Sequence, residues 1–452
     1  MKQEVTLRQS LTLVQVVALG LAWMTPMIYF SVFGIAYDAS QGMITEAYLL
    51  SVVAIFFTAY SYSIMARIFP GSGSSYTYVK QSLHPIPGFT VGWAILLDYL
   101  FSPIIACLTF GIYLNAQFPA VPAYVWIVLL NIVLAVVNIA GIKFSASLSK
   151  LFVLFQILFI AFFCTYLIRG FDGFAGVVQP FSNLDVGLPT ILAGASIICF
   201  SFLGFDTVST LAEETINAKK TIPRAIMLII LIASILYVAT SYLIQITYPS
   251  LTFVNLDSAG FELMKMAGGA TLGAIFTTVL IFAIFTQGLT SVTSVSRLLY
   301  VLGRDSILPK RFFGALHPKY RTPVNNIVLV AIVSLLALVI SLDMAVKFVS
   351  FGALTSFAFV NISVVAECYI KRKLRSPKQT IQYLIFPLAG ASFIIWLITL
   401  LDANALMLGC IWLVAGLAYF LYRTKLSGAF RTGSQLFDGT ASISNHEQRK
   451  SV

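Results

Sequence analysis

Uninterrupted apolar runs of about 20 residues recur from one end of the chain to the other, each long enough to cross a hydrocarbon core about 30 Å thick as a helix. That repetition leaves few folds open. No water reaches the backbone in lipid, so spanning segments are helices or closed barrels, which satisfy their own N–H and C=O groups. The alternating segments of about ten residues that mark barrel strands are absent. The runs fall at about 12–37, 45–66, 88–115, 122–140, 149–168, 189–212, 222–248, 270–296, 323–341, 346–369, 380–401 and 404–422. They predict an all-α integral membrane protein of twelve transmembrane helices. Composition agrees, because 10% of the residues are charged against about a quarter in soluble chains.

With the N-terminus placed in the cytoplasm, all of the 28 lysines and arginines except Arg169, Lys265 and Lys347 fall on the cytoplasmic side. That bias follows the positive-inside rule. The net charge of +11 therefore orients the chain and suits an anionic inner leaflet; it requires no nucleic acid. Residues 1–11 are expected to form a cytoplasmic segment, 12–422 the membrane domain, and 423–452 a disordered cytoplasmic tail. The opening MKQEVTLRQS is polar, and the run after it is too long for the core of a signal peptide. It reads as the first span rather than a cleaved leader. The cysteines at 107, 164, 199, 368 and 410 stand singly inside apolar segments, and the three histidines do not cluster. No disulfide framework, metal site or cofactor is expected. No nucleophile–base pair suggests an enzyme.

Two spans break the helix pattern. In GLAWMTPMIYFSVFG, residues 20–34, Pro26 sits near the middle of span one beside Thr25. In CFSFLGFDTVSTLAEET, residues 199–215, Ser201, Gly204, Asp206 and Thr207 interrupt the apolar run of span six. The two breaks lie five spans apart. Paired interruptions at corresponding places in two halves point to the binding site of a carrier built from inverted repeats. A broken helix presents free N–H groups on one half and free carbonyls on the other, which can replace water around a charged ligand. A proline kink and a flexible glycine are the plainer alternative.

The acids bear on the same place. Asp98, in GWAILLDYLFSP, lies near the middle of span three, where a carboxylate costs about 2.5–3.5 kcal/mol on insertion scales. It is expected to face the bundle interior as a proton carrier or a counter-charge, or as a structural acid bonded to a neighbouring helix. Tyr99 offers a phenol and a ring face for an ammonium. Asp206 and Glu213, seven apart, would share a face of a helix and line one pathway, while Glu214, turned by about 100°, pairs with Lys219, Lys220 or Arg224. Glu367 reads as an interfacial partner of Lys371. Lysines and arginines gather at span ends and loops, with no clear exception at mid-span. Buried acids without buried bases suggest that the ligand brings positive charge. In TQGLTSVTSVSR, residues 286–297, Gln287, Ser291 and Ser294 could ligate a small ion or join helices.

Several stretches resemble bacterial transporters of the amino acid–polyamine–organocation superfamily: GLAWMTP, FPGSGSSYTYV, VGWAILLDYLFSP, CFSFLGFDTVSTLAEET with IPRAI, SVSRLLYVLGRD and HPKYRTPVNN. The likeness runs from about residue 7 to 425. It is nearest to the putrescine importers of that superfamily, which carry similar LLDYLF and CFSFxGFD…EET segments. It implies a 5+5 inverted repeat with helices one and six broken, two further C-terminal helices, a site between the breaks, and alternating access driven by protons or exchange. Two departures bear on substrate and coupling. The glycine-rich break of amino acid members reads GLAWMTPMIYF here, which fits a diamine better than an α-amino acid, yet Ser31 stands where those importers carry an acid. Span five has Gln156, not the lysine that some proton-coupled relatives use in place of sodium.

The expectation is a secondary active transporter of the inner membrane, with both termini cytoplasmic, that imports putrescine or a related polyamine. The alternative is an amino acid permease. Thr25, Asp98, Tyr99, Ser201, Asp206 and Glu213 are the expected substrate residues. Asp98, Glu213, Glu214, Ser291 and Ser294 are the candidates for coupling, to a proton rather than sodium.

Overall fold

The computed structural model describes residues 9–169, 186–254, 256, 259–401 and 403–426. The expected N-terminal segment is described from Gln9 onward, and the expected disordered tail lies, from residue 427, outside the described residues. Span one is two helices, α1 (Leu13–Met24) and α2 (Ile28–Ala39), bent by 44°. Pro26 lacks an N–H, and Thr25 takes a positive φ of 54° that no α-helix continues through. Then come α3 (Ile44–Ile68), the short α4 (Ser74–Ser82), α5 (Pro85–Gln117), α6 (Ala123–Ala140) and α7 (Ile142–Arg169). The second half opens with α8 (Leu188–Cys199), followed by α9 (Ala218–Thr247) and α10 (Ala259–Arg304), which is kinked at Gly268 and Gly269. After the one-turn α11 (Lys310–Phe313) come α12 (Val324–Ser334), α13 (Leu342–Val364), α14 (Pro377–Thr380), α15 (Phe386–Thr399) and α16 (Ala403–Leu426).

Among the described residues nine helices are long and apolar enough to cross a membrane, and the bent pair α1–α2 makes a tenth if it is one span. The predicted runs near 189–212 and 323–341 fall on shorter apolar helices, Leu188–Cys199 and Val324–Leu338. The first is short for a reason. Beyond Cys199 the backbone passes through Gly204, at φ 110°, into a 3-10 helix, Phe205–Glu214. Runs of 3-10 helix beyond three or four residues are uncommon. Here side chains hold the tighter winding. The hydroxyls of Thr207, Ser209 and Thr210 donate to the carbonyls three residues earlier, at 2.7, 2.6 and 2.6 Å. Such local bonds compete with the α-helical ladder.

The core packs α5 along α13 and α10, and α3 along α9. α1 lies against α7, α9 and α10. Phe30, just past the first break, meets Phe159, Phe163 and Phe276 edge-on. At the second break the backbone presses on the first: a Cβ at Gly204 would lie 1.9 Å from Trp23 Cδ1. A side chain there meets both that clash and the left-handed backbone, whose cost alone is about 1–2 kcal/mol. The variant Gly204→Ala is expected to lower the unfolding midpoint of the detergent-purified protein by several degrees, read by a thermal shift assay. An unchanged midpoint would contradict the close packing of the two breaks.

Candidate functional site

A cavity of about 890 Å³ opens between the break in span one and helices α5, α8, α10, α13 and α15. Its walls include Ile35, Ile112, Leu342 and Leu400 toward the helix ends away from the basic loops. Trp23, Thr25, Asp98 and Ser102 also line it. The lining is largely apolar, and Asp98 is its one charged side chain among the described residues.

Asp98 is 1% exposed. The Ser102 hydroxyl, one turn on, reaches the Asp98 backbone carbonyl at 2.8 Å and the carboxylate Oδ1 at 3.2 Å. The other oxygen, Oδ2, is buried and has no hydrogen-bond partner. Gly352 allows this arrangement, because a Cβ there would meet Ala94 O at 2.5 Å and Asp98 N at 2.9 Å. α13 thereby closes on α5 beside the acid. Thr25 turns its hydroxyl back to Ala22 O at 3.0 Å, which satisfies a carbonyl left open where α1 ends.

The remaining expected residues are placed differently. Tyr99 and Asp206 do not line the cavity; they lie behind Trp23. The Trp23 and Tyr99 rings meet edge-on at 5.3 Å, and the Tyr99 hydroxyl donates to Asp206 Oδ2 at 2.8 Å. Asp206 is fully buried, and its Oδ1 has no partner. Ser201 is buried outside the cavity, and its carbonyl accepts from Tyr237 at 3.5 Å. Ser291 gives its hydroxyl to Gly288 O at 2.9 Å, and Ser294 is buried beside it on α10. Of that polar run, Gln287 reaches the cavity.

The expectation for Glu213 is corrected by helix type. In a 3-10 helix residues three apart eclipse, so Asp206 aligns with Ser209 and Ala212, and Glu213 is turned away by about 120°. Glu213 lines a separate open pocket with Gln9, Lys219 and Lys220. Both its oxygens accept from Arg304 Nη1 at 2.8 Å, and its N–H donates to Ser72 Oγ at 3.1 Å.

Glu214 is also corrected. Its partner is Arg297 rather than Lys219, Lys220 or Arg224. The guanidinium donates through Nε to Oε1 and through Nη2 to Oε2, the latter at 3.1 Å. Both side chains are 2% exposed, so the expected absence of deep cations has an exception. A signal for it was present: Thr286, Thr290, Thr293 and Arg297 recur every three or four residues, a polar stripe that must face inward in lipid. Beside these pairs Lys80 and the Tyr76 hydroxyl donate to Asp305 Oδ2 at 2.7 and 2.8 Å. Burial, with Asp305 adding to it, raises the Tyr76 phenol above its ordinary range, so it remains a donor. Glu367 behaves as expected at an interface, pairing with Lys371 at 3.7 Å and Arg372 at 2.9 Å.

A helical membrane bundle with two opposed breaks, a cavity floored by a lone carboxylate, and ion pairs closing the far end is built as a substrate carrier. The sequence model of the amino acid permease family matches residues 13–436, and the chain belongs to that family. The low-affinity putrescine importer PlaP of Escherichia coli (strain K12) is 40% identical over 431 residues, 93% of this chain and 95% of that protein. The branched-chain amino acid permease BcaP of Bacillus subtilis (strain 168) is 27% identical over 423 residues, 87% of this chain and 88% of its own. The methylthioribose transporter of the same organism is 27% identical over 410 residues, 84% of this chain and 86% of its own. The relatives are transporters, which accords with a multi-pass membrane protein that is not an enzyme.

Removing one partner of a buried ion pair leaves an uncompensated charge and costs about 3–5 kcal/mol. Arg297→Met is therefore expected to destabilise the purified protein strongly, and the double variant Arg297→Met, Glu214→Gln to recover at least half of the lost midpoint in thermal unfolding. Equal destabilisation in both would mean that the pair contributes through packing alone.

Proposed function

We propose that this chain is a secondary active transporter of the inner membrane that imports a small organic cation, putrescine or a related polyamine, by alternating access. The observation that carries the reading is Asp98, the one charged side chain lining the cavity among the described residues, whose buried Oδ2 has no hydrogen-bond partner. A buried carboxylate is retained where a charge comes to meet it. Asp98 is the counter-charge, and Thr25 stands at the break beside it. Tyr99 and Asp206, under Trp23, form the floor that must part for release. The identity to a putrescine importer over 93% of the chain supports the substrate class.

The same reading counts twelve spans, with the broken α1–α2 and the broken segment of α8 each opening a repeat of five and two further helices at the end. The pairing of α3 with α9, the second span of each repeat, supports it. The lysine and arginine bias places both termini in the cytoplasm and makes the ion-paired end the inner one. In that orientation the cavity faces outward, and Glu213–Arg304 and Glu214–Arg297 are contacts that inward opening must loosen. Transport is driven by protons rather than sodium, with Asp98, Glu213, Glu214, Ser291 and Ser294 as the candidate coupling residues. Residues 12–422 make one membrane domain.

The rival is an amino acid permease, favoured by the family's other members such as the branched-chain permease of B. subtilis. Uptake of labelled putrescine into cells lacking their own polyamine importers, competed with unlabelled putrescine or neutral amino acids, separates the two. The expected result is uptake that an uncoupler abolishes and amino acids do not compete; competition by amino acids with none by putrescine would reject the substrate. Asp98→Asn is expected to lower uptake about a hundredfold, the loss from truncating one partner of a desolvated charge pair, with normal amounts of protein in the membrane. Glu213→Gln is expected to reduce accumulation and raise the labelling of cysteines introduced on the cytoplasmic side of Trp23; unchanged labelling would show that this pair does not hold the inner end shut.

A further inference from the structure

The cavity holds one carboxylate, and a diamine carries two charges. Ser31, Thr109, Ser196, Gln287 and Ser350, which also line the cavity, are neutral. Asp206, the nearest second acid, is sealed behind Trp23 and bonded to Tyr99. Ser102 is shared between the Asp98 backbone carbonyl and one carboxylate oxygen, and the other oxygen has no hydrogen-bond partner. The geometry offers an ionic partner to a single ammonium group.

We propose that this transporter recognises one ammonium head and an alkyl chain, and that the far end of the substrate is read without charge, so that primary monoamines with a neutral polar end bind about as well as diamines. The inference rests on the reading above, that the ligand is an organic cation. An ammonium donates three N–H bonds, and the Asp98 carboxylate takes one of them as a charge-assisted bond. The apolar walls pair with the methylene chain, and that contribution follows buried area whatever stands at the far end. A second ammonium gains no ion pair. If it enters it loses its hydration to neutral hydroxyl and amide oxygens, which compensate a charge incompletely. If it stays at the open mouth it remains in water. Neither arrangement makes the second charge favourable. A substrate with a carboxylate at the far end is expected to bind worse, because no cationic side chain lines the cavity among the described residues.

Direct calorimetric titration of the full-length protein in detergent avoids passive leakage of amines through a bilayer. The titrants are putrescine, 4-amino-1-butanol and γ-aminobutyrate. The expected result is dissociation constants for the first two within about tenfold of one another, a difference of about one decade in affinity, with γ-aminobutyrate weaker than both. Putrescine tighter than 4-amino-1-butanol by more than about tenfold would overturn the inference and leave the functional reading intact. Binding of 4-amino-1-butanol without putrescine would overturn the inference and the polyamine substrate together, and binding of neither would remove the organic-cation reading as well. Gln287→Glu supplies a second acid in the same cavity and is expected to shift the ratio toward putrescine by more than about tenfold. An unchanged ratio in a variant that still binds both amines would overturn the single-head account.

Discussion

A carboxylate oxygen kept from water with nothing donating to it sets the terms for this bundle. Asp98 Oδ2 is such an atom. A charge at mid-membrane costs about 2.5–3.5 kcal/mol on insertion scales, so it cannot face lipid and has to be walled in by helices. The packing around it follows. Gly352 brings α13 against α5 at that level, and the break in span one places loose backbone and a hydroxyl at the same cavity. The two ends of the bundle differ in how charge is matched. Where it is shut, Glu213, Glu214 and Asp305 each have a cationic partner. Where it is open, the acid has none.

Between the two ends lies a thin layer. Trp23 faces the cavity, Tyr99 packs against its edge, and Asp206 holds the Tyr99 hydroxyl. Each belongs to a different span, and two of those spans are broken at this level. At this layer a 3-10 segment and a left-handed glycine stand in place of the continuous ladder of an α-helix.

Much of this was readable in the sequence because its signals are local. Apolar run length fixes where helices cross, proline and glycine mark where they stop, and an aspartate inside such a run has nowhere to face but inward. Asp98 and both breaks follow from those rules. The misplacements concern matters that single runs do not encode. The orientation of Glu213 depends on winding, and the winding is set by hydroxyls reaching three residues back, a choice that competes closely with the α-helix. Arg297 closes an apolar run and so reads as a loop residue; its depth becomes evident when α10 is seen to continue to Arg304. Its partner is 83 residues away, and the partner of Arg304 is 91 away. No spacing rule connects residues so far apart.

The start of the chain is fastened to the end of the 3-10 segment. Ser10 and Leu11 donate their N–H groups to Glu214 O at 2.8 and 2.9 Å, and Leu11 O accepts from Ile216 N at 3.0 Å. These are main-chain bonds, indifferent to which side chains are present. They join the segment before the first interrupted span to the end of the second, so that neither can swing without dragging the other. The two interrupted spans are therefore tied into one piece at the end where the ion pairs lie.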